Sequence, residues 1–166
     1  MKLFVIASLF TAFIALVVYL TAIIAAHGIR KSISDTNYFL QKPYKLVFEI
    51  VMWICGLAII ITGIFIKDSP NWMVIAGGLG IFLVGVFSDF KRNQFICISH
   101  YTSAIGGFAL LGLSFGKCFG NMDYTIIIAI SALFATALAD KRLWALELIL
   151  SAEIFMGLFF YAHQLM

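Results

Sequence analysis

Side chains able to do chemistry are scarce in this chain and unevenly placed. The densest group is His27-Gly28-Ile29-Arg30-Lys31-Ser32-Ile33-Ser34-Asp35-Thr36-Asn37-Tyr38, which puts an imidazole, a carboxylate, two cations and several hydroxyls into one short polar interruption. Further along come Glu49, Asp89, His100, Ser103, Glu147 and Glu153, each set in or beside an apolar run. Residues of these types could hold a lipid head group, ligate a metal or carry protons. The spacing of the surrounding apolar runs decides which of them can meet.

The chain has 166 residues, of which 63% are hydrophobic and 11% charged, with a mean hydropathy of +1.07. A soluble domain does not tolerate that composition, so this is a membrane protein. Apolar runs fill nearly the whole length and leave no room for a soluble catalytic or nucleic-acid-binding module. The basic residues sit between the runs, where membrane topology accounts for them better than an anionic polymer does. Cys55, Cys97 and Cys118 are isolated and form no metal-binding or disulfide pattern. No cofactor is expected.

Crossing a hydrocarbon core about 30 Å thick takes roughly 20 apolar residues of helix, because helices and closed barrels alone satisfy the backbone there. Six segments qualify: Leu3 to Ala26, Leu46 to Ile66, Trp72 to Phe87, Phe95 to Phe115, Tyr124 to Ala139 and Leu143 to Tyr161. The expected fold is therefore all-α, a polytopic bundle of six transmembrane helices forming one domain. The first run is too long for a signal peptide and reads as a retained helix. Within the first turn, Ser34 or Asp35 is expected to cap a short interfacial helix through Tyr38 to Gln41. Gly77, Gly78, Gly80 and Gly85 in the third run, and Gly106, Gly107 and Gly112 in the fourth, suit close helix packing at the bundle centre or a contact between copies in an oligomer.

With six alternating spans, Arg30, Lys31, Lys42, Lys45, Lys91, Arg92, Lys141 and Arg142 fall on one face, and Lys2, Lys67 and Lys117 on the other. That excess places the first turn in the cytoplasm and both termini outside; in a bacterium the membrane would be the inner one. The same alternation gathers His27, Asp35, Glu49, Asp89, His100, Asp140 and Glu147 into the cytoplasmic half. An ionisable group within a span is costly unless it faces the bundle interior and finds a partner. Ser34, Asp35, Asp89, His100 and Glu147 are the leading ligand-binding candidates, with His27, Ser32, Glu49, Ser103 and Glu153 behind them.

Periodicity refines the picture. His100, Ser103 and Gly107 share a face, as do Glu49, Trp53, Gly56 and Gly63, and Glu147 lies with Ser151, whereas Glu153, Gly157 and Tyr161 lie about 120° away. Simple structural roles compete with binding: His100 as a histidine bonding two helices together, Glu49 paired with Lys45 one turn back, and Asp140 in a solvated turn beside Lys141 and Arg142. Glu147 and Glu153 lie deeper, and such carboxylates either stay protonated or meet a cation or donor.

The run Ile33-Ser34-Asp35-Thr36 after the first span, Gly85-Val86-Phe87-Ser88-Asp89 at the end of the third, and His100 followed by Ala104 resemble the six-span superfamily containing the DRAM, Frag and Sfk proteins, along with related bacterial membrane domains. The resemblance implies a role in lipid organisation or remodelling, with Ser34, Asp35, Asp89 and His100 as the matching positions. It also implies a non-cytoplasmic motif turn, opposite to the charge count. Three functions follow, in this order: a polar pocket that binds a membrane lipid by its head group; a metal-dependent intramembrane hydrolase or acyltransferase using His27, His100 and Asp89 or Glu147; and an ion or proton pathway lined by Glu49, Glu147 and Glu153.

Overall fold

The computed structural model describes residues 2–29, 31–38, 40, 45–65, 71–119 and 142–164. Within them the chain forms five α-helices and one short 3-10 helix: α1 (Lys2–His27), the 3-10 helix (Ser34–Tyr38), α2 (Lys45–Phe65), α3 (Asn71–Val86), α4 (Gln94–Phe119) and α5 (Arg142–Gln164). The expected fifth span, Tyr124 to Ala139, lies outside the described residues, as do Arg30, Lys42, Lys67, Asp123, Asp140 and Lys141. Four helices are long and apolar enough to cross a membrane, whereas α3, with 16 residues, is shorter. The described chain is thus an all-α protein compatible with several membrane crossings.

The helices start and stop for local reasons. α1 ends at Gly28, whose φ of 69° is the left-handed conformation that glycine adopts without strain. Its N–H bonds to the Ile24 carbonyl at 2.9 Å, which closes the last turn. α4 begins at an asparagine cap: Asn93 Oδ1 accepts the Ile96 N–H at 2.9 Å, satisfying one of the first-turn donors.

Packing follows the apolar periodicity. On α1 the buried residues Val5, Leu9, Ala12, Leu16, Tyr19, Leu20 and Ile23 repeat every three or four positions. Leu3, Phe4, Phe10, Ile14 and Val18, on its other faces, are exposed, as suits a helix whose outer side meets acyl chains. α3 lies between α2 and α4, α1 packs on the other side of α2, and α5 touches α1, α4 and α2. Phe13 meets Phe155 and Phe159 edge-on, at centroid distances of 5.6 and 6.5 Å, and ties α1 to α5.

Glycine brings α2, α3 and α4 into backbone contact. A Cβ at Gly56 would stand 2.6 Å from the Phe82 nitrogen and 2.8 Å from the Gly78 oxygen. One at Gly80 would stand 2.8 Å from the Gly107 Cα and from the Ser103 oxygen. These glycines are used within the chain, and α3 is the central helix of this group. Gly106 is different, since a Cβ there meets nothing within 4 Å.

The start of α1 and the end of α5 lie at one end of the bundle, where Lys2 Nζ donates to the His163 carbonyl at 3.1 Å. The 3-10 helix, the 87–93 turn and the first turns of α2, α4 and α5 lie at the other. The short helix spans Ser34–Tyr38, and the expected continuation to Gln41 lies outside the described residues. Ser32 caps it, its Oγ accepting the Asp35 N–H at 2.9 Å, while Ser34, Thr36 and Asn37 are buried within it.

Candidate functional site at the polar end of the bundle

The 31–38 segment folds inward from the end of α1 and is bonded to three other parts of the chain. Tyr19 on α1 shares a hydrogen bond with Thr36 Oγ1 at 2.5 Å, and Thr36 Oγ1 also donates to the Ile33 carbonyl. On α5, Glu147 Oε2 accepts the Ile33 N–H. The 87–93 turn supplies the remaining partners. Asn37 Nδ2 donates to the Ser88 carbonyl at 3.1 Å, the Tyr38 hydroxyl accepts the Lys91 N–H, and Lys91 Nζ pairs with Asp35 Oδ1. Ser88 Oγ in turn donates to Glu49 Oε1 on α2 at 2.6 Å. The two turns are interlocked, and side chains from three helices fasten them.

Aromatic rings fill the space around these bonds. Phe90 stacks on the His100 imidazole with centroids 4.5 Å apart and meets Tyr38 edge-on at 5.1 Å. Lys91 Nζ lies 4.2 Å from the centroid of the Tyr38 ring, close enough for a cation–π contact. Burial raises the Tyr38 phenol above its ordinary value; the Lys91 N–H that it accepts opposes the shift, and the charge of nearby Asp89 adds to it.

The candidate residues do not all meet. Ser34 is buried, Asp35 pairs with Lys91, and Glu147 holds the Ile33 amide. His100, 1% exposed, turns its Nδ1 to the Phe87 carbonyl at 3.0 Å and thereby bonds α4 to the end of α3. Asp89 is exposed in the 87–93 turn, and its backbone carbonyl accepts the Arg92 N–H. His27 is exposed at the end of α1. Ser103 sets its carbonyl against Gly80. Glu153 is half-buried on α5. The expected Glu49–Lys45 pair gives way to Glu49–Ser88, and Lys45 Nζ lies 5.2 Å from the Tyr38 ring centroid instead. Among the described residues, no three His, Cys, Asp or Glu side chains converge as metal ligands.

Sequence reasoning passed over Tyr19 and Phe90, and named Asn37 and Ser88 only as members of longer runs. Tyr19 carries a phenol within a span and two turns from the polar stretch, which is a signal that its hydroxyl needs a partner. Asn37 keeps one unsatisfied group: its Oδ1 is buried without a hydrogen-bond partner, as are the indole N–H groups of Trp53 and Trp144.

Beneath the interlocked turns lies a cavity of about 50 Å³, reached by all five helices. Glu147, Ser34 and Ser151 form its polar part, and apolar side chains such as Leu16, Met52 and Phe155 form the rest. A second, larger space of about 540 Å³ is an apolar groove between α1 and α2, lined by Ile14, Val18, Val47, Val51 and Leu40 among others. No family model, no curated protein and no solved structure matches the chain.

Proposed function

We propose that the chain is a six-span integral membrane protein that holds an anionic lipid at the end of the bundle where the two turns interlock. The groove between α1 and α2 carries this reading. It is long, apolar and open on the outer face of two spans, and it runs up to Leu40 beside the polar turn. An acyl chain matches that lining. At the same end Lys31, Lys91 and Arg92 are exposed, and Lys45 stands in the first turn of α2, whose Val47 and Val51 line the groove. Basic groups at a membrane surface attract anionic lipid by about 1 kcal/mol each. The head group therefore belongs on the basic rim of the turns and the tail in the groove.

Chain direction supports the sixth crossing. α4 starts at the polar end and is about 39 Å long at 1.5 Å per residue, whereas α5 starts at the polar end again, with Glu147 reaching Ile33. Between them the chain has to return, and Tyr124 to Ala139 is the apolar run that can do so. The basic excess then puts the interlocked turns in the cytoplasm and both termini outside. A cysteine introduced at Lys31 should react with an impermeant thiol reagent from the same side as one at Lys141 and the opposite side from one at Lys2, in a background lacking the native cysteines.

Binding is tested on protein delipidated in detergent and titrated with phosphatidylglycerol or phosphatidylcholine. The expected result is a preference for the anionic lipid that falls at least tenfold when Lys31, Lys45 and Arg92 are all changed to alanine. Equal binding before and after that change would overturn the reading.

A further inference from the structure

The carboxyl of Glu147 stands inside a spanning helix, about 7.5 Å beyond Arg142 at the helical rise, and it lines the 50 Å³ cavity. An ionised carboxylate in such a place costs several kcal/mol unless a cation faces it. The ion pair of Lys91 with Asp35 lies in the turns and does not involve Glu147. From this geometry we infer that Glu147 is a proton-binding site inside the bundle, taking up and releasing a proton within the chamber it shares with Ser34 and Ser151.

The bonding arrangement suits both states of the group. Ile33 N–H donates to Oε2, an oxygen that accepts whether the group is acid or anion, so Oε1 is left to carry the proton. One water needs about 10–15 Å³ of such space, so the chamber has room for about three. A water there would find polar partners in Glu147, Ser34 and Ser151, as a buried water requires. In the uptake step a hydronium in the chamber gives its proton to the carboxylate, leaving water and a neutral acid; no other bond changes and nothing is oxidised.

Surrounding groups set the balance. The turn contributes Asp35, whose charge is paired with Lys91. α2 presents the Cys55 thiol, which donates to the Ala12 carbonyl at 3.7 Å, and α4 carries Tyr101 on its exposed side. α1 and α3 offer the chamber only Leu16, Ile81 and Val84. On α5 itself Ser151 is occupied by the Glu147 carbonyl at 2.7 Å. This site is separate from the lipid groove and stands or falls without it.

A hydrophobic carbodiimide tests the inference on the full chain in detergent. The reagent reacts with a protonated carboxyl in an apolar setting: the acid's proton goes to a carbodiimide nitrogen, the carboxylate oxygen to its central carbon, and the product rearranges to a stable acylurea. Dicyclohexylcarbodiimide should add once per chain, with peptide mass mapping placing the adduct on Glu147. The rate should fall about tenfold per pH unit above a single midpoint. E49Q and E153Q should keep the label, and E147Q should lose it. The wild-type map and pH profile decide the matter even if E147Q does not fold. Absence of label on Glu147, labelling at a rate indifferent to pH, or suppression by sodium chloride at fixed pH would each overturn the inference, the last by making the site one for a metal cation.

Discussion

The body of the bundle and its polar end are held together by opposite means. In the body, α2, α3 and α4 approach until backbone meets backbone, at glycines with no room for a methyl group, and dispersion between close surfaces does the holding. At the polar end the helices are joined by side chains that reach across from one turn to the other, through Asn37–Ser88, Tyr38–Lys91 and Ser88–Glu49. The first region depends on what is missing from its residues and the second on what they carry. A membrane supplies little hydrophobic drive between helices, so contact area and hydrogen bonds have to provide the cohesion.

The contrast is broken most severely in the body. Gly56→Leu drives a side chain into the Phe82 backbone and should cost about 3 kcal/mol or more, read as loss of the monodisperse peak in size-exclusion chromatography. Gly106→Leu, facing open space, should elute like the parent. At the polar end Ser88→Ala strips the donor from Glu49 Oε1 and should cost about 1–3 kcal/mol, seen as a lower thermal midpoint in detergent.

Smaller effects sharpen the comparison. Tyr19→Phe and Thr36→Val each remove one half of a buried hydroxyl pair and should cost about 1–2 kcal/mol singly, while the double variant should cost clearly less than the sum. Additive midpoints would show that the pair contributes nothing of its own. Lys91→Met sits at the bottom of the series: with the lysine side chain 53% exposed, losing its pairing to Asp35 should cost under about 1 kcal/mol in the same melting assay.

These two regions were not equally legible in the sequence. Helix positions in the body followed from hydropathy, and the ends of α1, α2 and α3 fall within about one residue of the apolar runs that announced them. α4 continues to Phe119, four residues past its run. The polar turn could be seen as a concentration of hydroxyls and charge, and the shared face of Glu147 and Ser151 followed from helical period. Its partners could not be read. Asn37 and Ser88 are 51 residues apart and Tyr38 and Lys91 are 53 apart, and no local rule links two turns at such separations. Period also could not tell which neighbour Glu49 would choose: Lys45 was one turn away, yet the distant Ser88 won by offering a hydroxyl in a drier place.

The interlocking of the two turns also bears on how the chain enters its membrane. When only α1 and α2 have been inserted, Thr36 already has Tyr19, but Asn37 and Tyr38 lack Ser88 and Lys91, and Ile33 waits for a glutamate more than a hundred residues downstream. Until those arrive the segment keeps its hydrogen bonds with water at the membrane surface. It can withdraw into the protein only once the parts that carry Ser88, Lys91 and Glu147 are in place, so its burial is a late event in assembly.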